Sequence, residues 1–217
     1  MERLRLTDDG FATLYSPEFN QHYHSVRGAM DETQRVYIEL GLWAKMQEKT
    51  EIHILEIGFG TGLNALVTLL EAQKNNLIIH HTTLEPFPIS DTDITLLNYE
   101  DELKTDLLQA LHQTKWEETV EINPHFFLTK KQISLQDFNT DNRFDLVYFD
   151  AFAPVSQPEL WTEEIFRKIA DLTIEGGFLT TYCSKSDVRR ALQGAGFKVE
   201  KHQGMRGKRE VVRAIKY

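Results

Sequence analysis

Ile52-His53-Ile54-Leu55-Glu56-Ile57-Gly58-Phe59-Gly60-Thr61-Gly62-Leu63-Asn64 is the stretch that decides the fold of this chain. A run rich in apolar residues leads into three alternating glycines, and a helix-forming segment follows. A short apolar run bounded by glycine reads as a buried parallel strand. The glycines allow a sharp strand-to-helix turn and let a ligand reach the backbone without meeting a Cβ. The helix behind them offers free N–H groups. The pattern predicts a cofactor loop of the nucleotide type.

The spacing is G-x-G-x-G, not the G-x-G-x-x-G of dinucleotide folds, which disfavours an NAD-dependent oxidoreductase. With Glu56 two residues ahead of Gly58, it resembles motif I of class I S-adenosylmethionine (SAM) methyltransferases. SAM has no phosphate, and its ammonium and sulfonium are cations that suit an acidic strand end. The same glycines also fit a tight turn with nothing bound, so the rest of the chain must decide.

A length of 217 residues suits one domain with a real core. No stretch approaches about 18 consecutive apolar residues, and the N-terminus has no apolar leader, so a cytoplasmic protein without membrane segments is expected. Cys183 is the only cysteine, which excludes an intramolecular disulfide or a Cys-based metal cluster. It reads as a small core residue. The eight histidines show no metal-binding spacing, so no metal is expected; His80 and His81 read as packing or surface residues. Trp43 and Trp116 read as core anchors. Net charge is −9, yet residues 185–217 hold ten Lys and Arg against Asp187, Glu200 and Glu210. That asymmetry points to a polyanionic partner at one end or to a solvated basic face.

In chain order, Asp8-Asp9-Gly10 between two strand-like runs predicts a hairpin. A long ordered loop then leads to a helix over 31–49. Val36, Leu40, Trp43 and Ala44 would face inward, with Glu32, Arg35, Glu39 and Lys45 opposite. Residues 1–50 are expected to cover the cofactor site of a core formed by 51–217, all within one domain. Strand 77–85 ends on Glu85, placed to bind ribose hydroxyls or simply to sit at the surface. A helix over 101–113 and a strand over 126–133 follow. Asp137 then stands where it could accept from an adenine amino group, or serve as a loop aspartate. Strand 144–149 delivers Asp150 at its carboxyl end, where open α/β sheets place ligands. Thr162 is a predicted N-cap, strand 178–183 follows Gly176-Gly177, and Ser184 or Ser186 caps the next helix. Runs 197–201 and 208–216 form an antiparallel hairpin. The expected fold is therefore α/β, a seven-stranded, mostly parallel Rossmann-like sheet closing on that hairpin.

Three signatures together resemble the tRNA wobble-uridine methyltransferases that act on 5-aminomethyl-2-thiouridine. They are Glu56 through Asn64; Asp150-Ala-Phe-Ala-Pro154 with Pro158-Glu-Leu-Trp-Thr162; and Thr181-Tyr-Cys-Ser184 with Val188 through Phe197 and Gly207-Lys-Arg-Glu210. Tyr23-His24-Ser25, Gly28 and Glu32 also match. In many bacteria this activity is one half of a bifunctional enzyme whose other half is an FAD-dependent oxidase. The chain ends at Tyr217, so the resemblance implies a standalone methyltransferase supplied with aminomethyl substrate by other enzymes. Ala151 stands where many family members carry Gly, a change expected to be tolerated.

The resemblance implies methyl transfer from SAM to the exocyclic amine of the wobble uridine. Cofactor contacts would come from Tyr23, Ser25, Glu32, Glu56, Gly58, Gly60, Gly62, Asn64, Glu85, Asp137 and Asp150. Asp150 would also act in catalysis by orienting the amine and helping shed its proton. Phe152 or Trp161 would stack on a splayed anticodon base, with Pro154 beside them. Arg189, Arg190, Lys208 and Arg209 would contact phosphates. The expected partner is the tRNA anticodon region, and the chain is expected to be a monomer. Two other classes fit parts of the pattern: a SAM-type enzyme acting on a small amine, such as an aminopropyltransferase, and a SAM- or RNA-binding module without turnover.

Overall fold

The computed structural model describes residues 3–205 and 209–217. The predicted hairpin forms around Asp8-Asp9-Gly10: β1 (Leu4–Leu6) pairs antiparallel with β2 (Ala12–Ser16), and β3 (Gln21–His22) adds a two-residue edge. A helix then spans 29–45, not 31–49. Its middle, Thr33–Leu42, is a π-helix between α-helical Ala29–Glu32 and Trp43–Lys45. The wider turn changes which residues share a face. Glu32 and Lys45, expected on the polar side, are therefore buried along with Val36 and Leu40. Lys45 remains satisfied because its Nζ reaches Glu48 at 2.7 Å and the Gly176 carbonyl at 3.0 Å. Trp43 is half-buried and donates to Glu71 at 2.7 Å.

The main sheet consists of β4 (Glu51–Ile57), β5 (Ile78–Leu84), β6 (Thr119–Asn123), β7 (Phe126–Lys131), β8 (Phe144–Phe149), β9 (Thr173–Thr181), β10 (Phe197–Gln203) and β11 (Glu210–Lys216). Its order is β10-β11-β9-β8-β4-β5-β7-β6. The five strands from β9 to β7 run parallel, while β11, β10 and β6 pair antiparallel. The sheet thus has eight strands, not seven. The additional strand, β6, is a short edge whose Thr119 and Glu121 are exposed, so its pattern carries too little apolar signal to stand out from a loop. Strand β8 is buried along its whole length, as expected for the centre of a parallel sheet covered on both faces.

Two apolar layers flank the sheet. One joins helix 29–45 and helix Leu63–Asn75 to Ile52, Ile54, Leu146 and Tyr148; the other joins helix Glu163–Leu172 to Leu55, Val147, Phe149 and Leu179. Gly41 lets helix 29–45 lie close on β8, since a Cβ there would stand 3.2 Å from the Leu146 and Tyr148 side chains. Thr162 caps its helix as predicted, accepting from Ile165 N at 3.3 Å. Helix Ser186–Gly194 starts without a side-chain cap, so neither Ser184 nor Ser186 plays that part. The single helix expected over 101–113 is two, Tyr99–Leu103 and Leu107–Gln113, broken where Lys104 takes φ +54. No helix among the described residues is long and apolar enough to cross a membrane.

The N-terminal hairpin is tied down by polar bonds. Asn98 accepts from Ala12 N at 2.8 Å and donates to Gly10 O at 2.9 Å, and Tyr99 donates to Ala12 O at 2.8 Å. Asp9 accepts from Ala29 N at 3.2 Å and Asp31 N at 2.9 Å, capping the helix from across the turn. Asp9→Ala therefore leaves two helix-end donors without their acceptor. A loss of about 1 kcal/mol in denaturant unfolding is expected; an unchanged midpoint would show that water replaces the cap at no cost.

Candidate active site

The carboxyl ends of β4, β5 and β8 converge where the strand order changes direction, the place where open α/β sheets bind ligands. A cavity of about 730 Å³ opens there, within the range of small-molecule and cofactor sites. Tyr23, Ser25 and Glu32 line it from the N-terminal segment; Gly58, Gly60, Asn64, Glu85, Asp137, Asp150 and Phe152 line it from the core. The N-terminal segment reaches the cavity chiefly through the loop around Tyr23. Helix 29–45 contributes Glu32 and otherwise packs on the sheet.

The glycine loop has the shape its spacing predicts. Gly58 has φ +92, and a Cβ there would lie 2.8 Å from the Asp150 carbonyl oxygen. Gly60 has φ +51, and a Cβ there would stand 3.0 Å from the Tyr23 ring. Side chains are excluded at both positions, which brings bare backbone to the cavity wall. Glu85 closes the loop from β5: its carboxylate accepts from Gly60 N and Phe87 N, both at 2.9 Å. Burial raises the Glu85 pKa against those bonds. Gly62 turns toward His112 and Phe59 and shapes the loop without lining the cavity.

Asp150 is held by a relay. Asn64 donates to Asp150 Oδ2 at 2.8 Å, and Asn64 Oδ1 accepts from Thr33 at 2.8 Å. Burial, then the nearby Glu32 carboxylate, pushes the Asp150 pKa up from 3.8 to about 7. A carboxyl with that pKa exchanges protons near neutral pH, as a general base must. Tyr23, whose pKa burial raises to about 12, stays a neutral phenol. His24 is buried between Thr13 and Thr61, at 3.3 and 3.4 Å, and burial takes its pKa down to about 4. It links the hairpin to the glycine loop as an uncharged ring.

Several expected positions lie elsewhere. Glu56 is fully buried beneath the loop, 3.0 Å from His81 Nε2, and does not line the cavity. Its direction follows from strand alternation: Ile57 faces the site and Glu56 the opposite layer. Trp161, expected to stack on a base, is a core residue instead. It is buried against Phe149, Phe166 and Tyr182, with Nε1 donating to Phe152 O at 2.8 Å. Pro154 does not line the cavity, nor do Arg189, Arg190 and Arg209. Arg189 donates to Ser184 O and Ser186 Oγ, Arg190 pairs with Asp187, and Arg209 is exposed. Lys208, with Gly207 of the C-terminal signature, lies outside the described residues. The three acids of this segment are all engaged, Glu200 by Lys198 and Arg213, Glu210 by Lys201 and Asp187 by Arg190, so the basic excess counted over them is left standing.

Sequence reading singled out Tyr23 and Phe152 but missed Phe19 and Phe87, which complete the aromatic rim. Phe19 stacks on Phe152 with centroids 4.3 Å apart, Tyr23 leans on Phe152 at 5.2 Å, and Phe87 meets Phe19 edge-on at 5.8 Å. Phe19 sits in a loop without periodicity, so only its hydrophobicity could have marked it. Gln21 accepts from Ala153 N at 3.2 Å and holds the two segments together. The Trp161 assignment can be checked directly. Trp161→Ala should cost about 3–5 kcal/mol in chemical denaturation, as a core truncation does; weakened RNA binding with unchanged stability would restore a surface role.

Comparison with known proteins agrees with this geometry. A family model described as S-adenosyl-L-methionine-dependent methyltransferase matches residues 98–217. The tRNA 5-methylaminomethyl-2-thiouridine biosynthesis bifunctional protein MnmC of Aromatoleum aromaticum is 31% identical over 97% of this chain and 35% of its own length. The chain spans about a third of the length of the curated relatives it matches. The crystal structure of MNMC2 from Aquifex aeolicus is similar with a TM-score of 0.83 and 26% identity, covering 99% of this chain and 69% of that one. Spermidine synthase from Thermotoga maritima, at 13% identity and a TM-score of 0.51 over 98% of this chain and 71% of its own, shares the fold alone. An acidic cavity suited to a cationic cofactor and a family match over more than half the sequence lead to one conclusion: the chain belongs to the S-adenosyl-L-methionine-dependent methyltransferases.

Proposed function

We propose that the chain, acting as one catalytic unit over residues 1–217, methylates the exocyclic amine of 5-aminomethyl-(2-thio)uridine at the wobble position of tRNA. The observation that carries this reading is Asp150: a buried carboxyl with a pKa near 7, held by Asn64, in the same cavity as Glu32. Two acids in one cavity suit an amine that arrives as a cation and must react as a neutral nucleophile. The likeness to MnmC proteins supports the choice of substrate.

When bound, SAM supplies an electrophilic methyl group on a sulfonium. The backbone at Gly58 and Gly60, with Glu85 beside that loop and Asp137 in the same cavity, is suited to hold its nucleoside part. The carboxylates of Glu32 and Asp150 suit the positively charged end. Asp150 takes a proton from the incoming ammonium, which frees the nitrogen lone pair. That pair would take the methyl group that bound SAM would supply, and the product would leave as the protonated secondary amine. Alignment of this kind is worth about 7–11 kcal/mol of barrier. Phe152 has one face taken by Phe19, so Phe87, 48% exposed at the rim, is the better platform for a splayed base.

The direct test incubates labelled SAM with bulk tRNA from cells lacking this enzyme, followed by nucleoside analysis. Label should appear in 5-methylaminomethyl-2-thiouridine; label in small amines alone would sink the tRNA assignment.

Asp150→Asn separates chemistry from folding. Methyl transfer in a single turnover at saturating SAM should fall at least about 100-fold. The wild-type rate should decline as pH drops below about 7, where Asp150 becomes protonated. A carboxyl whose pKa is raised by folding loses stability as pH climbs from its ordinary value to its folded one. The Asn variant should therefore gain on wild type between pH 4 and 7 and keep that gain above it. Wild-type turnover by the Asn variant would refute the role.

A further inference from the structure

Three side chains near the amino-terminal ends of β4 and β5, at the far end of these strands from the cavity, are brought together by strand register. Glu51 and His53 are two residues apart on β4 and so share a face. His80 is the register partner of His53 on β5. The two imidazoles stack with centroids 4.5 Å apart and planes 10° apart, and His80 Nε2 lies 3.0 Å from Glu51 Oε1. One donor atom from each of the three falls within 4.8 Å of the others. Phe127, the register partner of His80 on β7, stacks on the other face of that ring at 5.0 Å and fixes its orientation. Both histidines are half-exposed and Glu51 is exposed, so an ion in solution can reach them.

We infer that Glu51, His53 and His80 form a binding site for a divalent transition-metal cation of the zinc class. Two imidazoles and one carboxylate suit Zn²⁺, Ni²⁺ or Cu²⁺, whereas Mg²⁺ and Ca²⁺ demand oxygen ligands. Metal bonds of about 2.0–2.2 Å require the donors to draw slightly closer than 4.8 Å. Glu51, exposed at the strand end, can supply that adjustment. Water completes the coordination.

Lys49 is engaged by Asp145 at 2.8 Å, and Asp145 also accepts from His53 N at 2.8 Å. The backbone of the site is thus anchored apart from the ion. Because the donors come from adjacent parallel strands, the bound ion clips β4 to β5. It stabilises the sheet and takes no part in methyl transfer, so the inference stands apart from the choice of substrate.

The test uses the full chain, free of any affinity tag and stripped with a chelator. Co²⁺ titration should give visible d–d absorption saturating at one ion per chain. Zn²⁺ should displace it, Mg²⁺ should not, and Zn²⁺ should raise the melting temperature. His53→Ala and His80→Gln should each weaken binding about tenfold or more with SAM affinity unchanged. Glu51→Gln, at an exposed site, serves if a histidine variant does not fold. Absence of Co²⁺ binding by the wild type would overturn the assignment, as would binding that all the variants retain.

Discussion

The buried carboxylate at the carboxyl end of β8 is the constraint around which this structure is arranged. A charge in that position is costly unless hydrogen bonds compensate it, and Asn64 supplies one at 2.8 Å. Asn64 is itself held by Thr33, so the first turn of helix Leu63–Asn75 and the N-terminal helix must both be in place before Asn64 reaches Asp150. Compensation is incomplete, because the Glu32 carboxylate stands near enough to oppose its charge. The residual cost appears as the raised Asp150 pKa, the property on which the proposed base role depends.

The N-terminal segment is therefore part of the site and not merely its cover. Asp9 holds the start of helix 29–45, His24 bonds both the hairpin and Thr61 of the glycine loop, and Tyr99 bonds both Ala12 and Thr61. Loss of any of these contacts reaches the cofactor loop through a neighbour. Phe19 on Phe152 closes the mouth from the same segment. The π-helical middle of helix 29–45 turns Glu32 toward the cavity while keeping the remainder on the sheet.

The parts of the site that could be read early share one property: local chemistry leaves them little choice. Alternating glycines at Gly58 and Gly60, an acid ending β5 and another after β8 each follow from backbone geometry at a strand end. Where two acids compete for one expectation, reading along the chain fails. Glu56 and Glu85 both sit near strand ends, yet only Glu85 meets the loop, and Glu56 turns inward to His81. Trp161 illustrates the same limit. An aromatic after a proline-rich turn is indistinguishable from a surface platform until the packing of Phe149 and Tyr182 around it is known.

By itself the sequence determined the alternation of strands and helices, the parallel core with its terminal hairpin, and the glycine loop that walls the cavity. These rest on periodicity and on glycine, which act over a few residues. Only the tertiary structure decided which acids share the cavity, that β6 extends the sheet to eight strands, and that Phe19 reaches Phe152. It also decided that His53 and His80 stand side by side. Those outcomes depend on register between strands and on a helix wound at an unusual pitch. Such features are set by packing between segments far apart in the chain, and no local pattern encodes them.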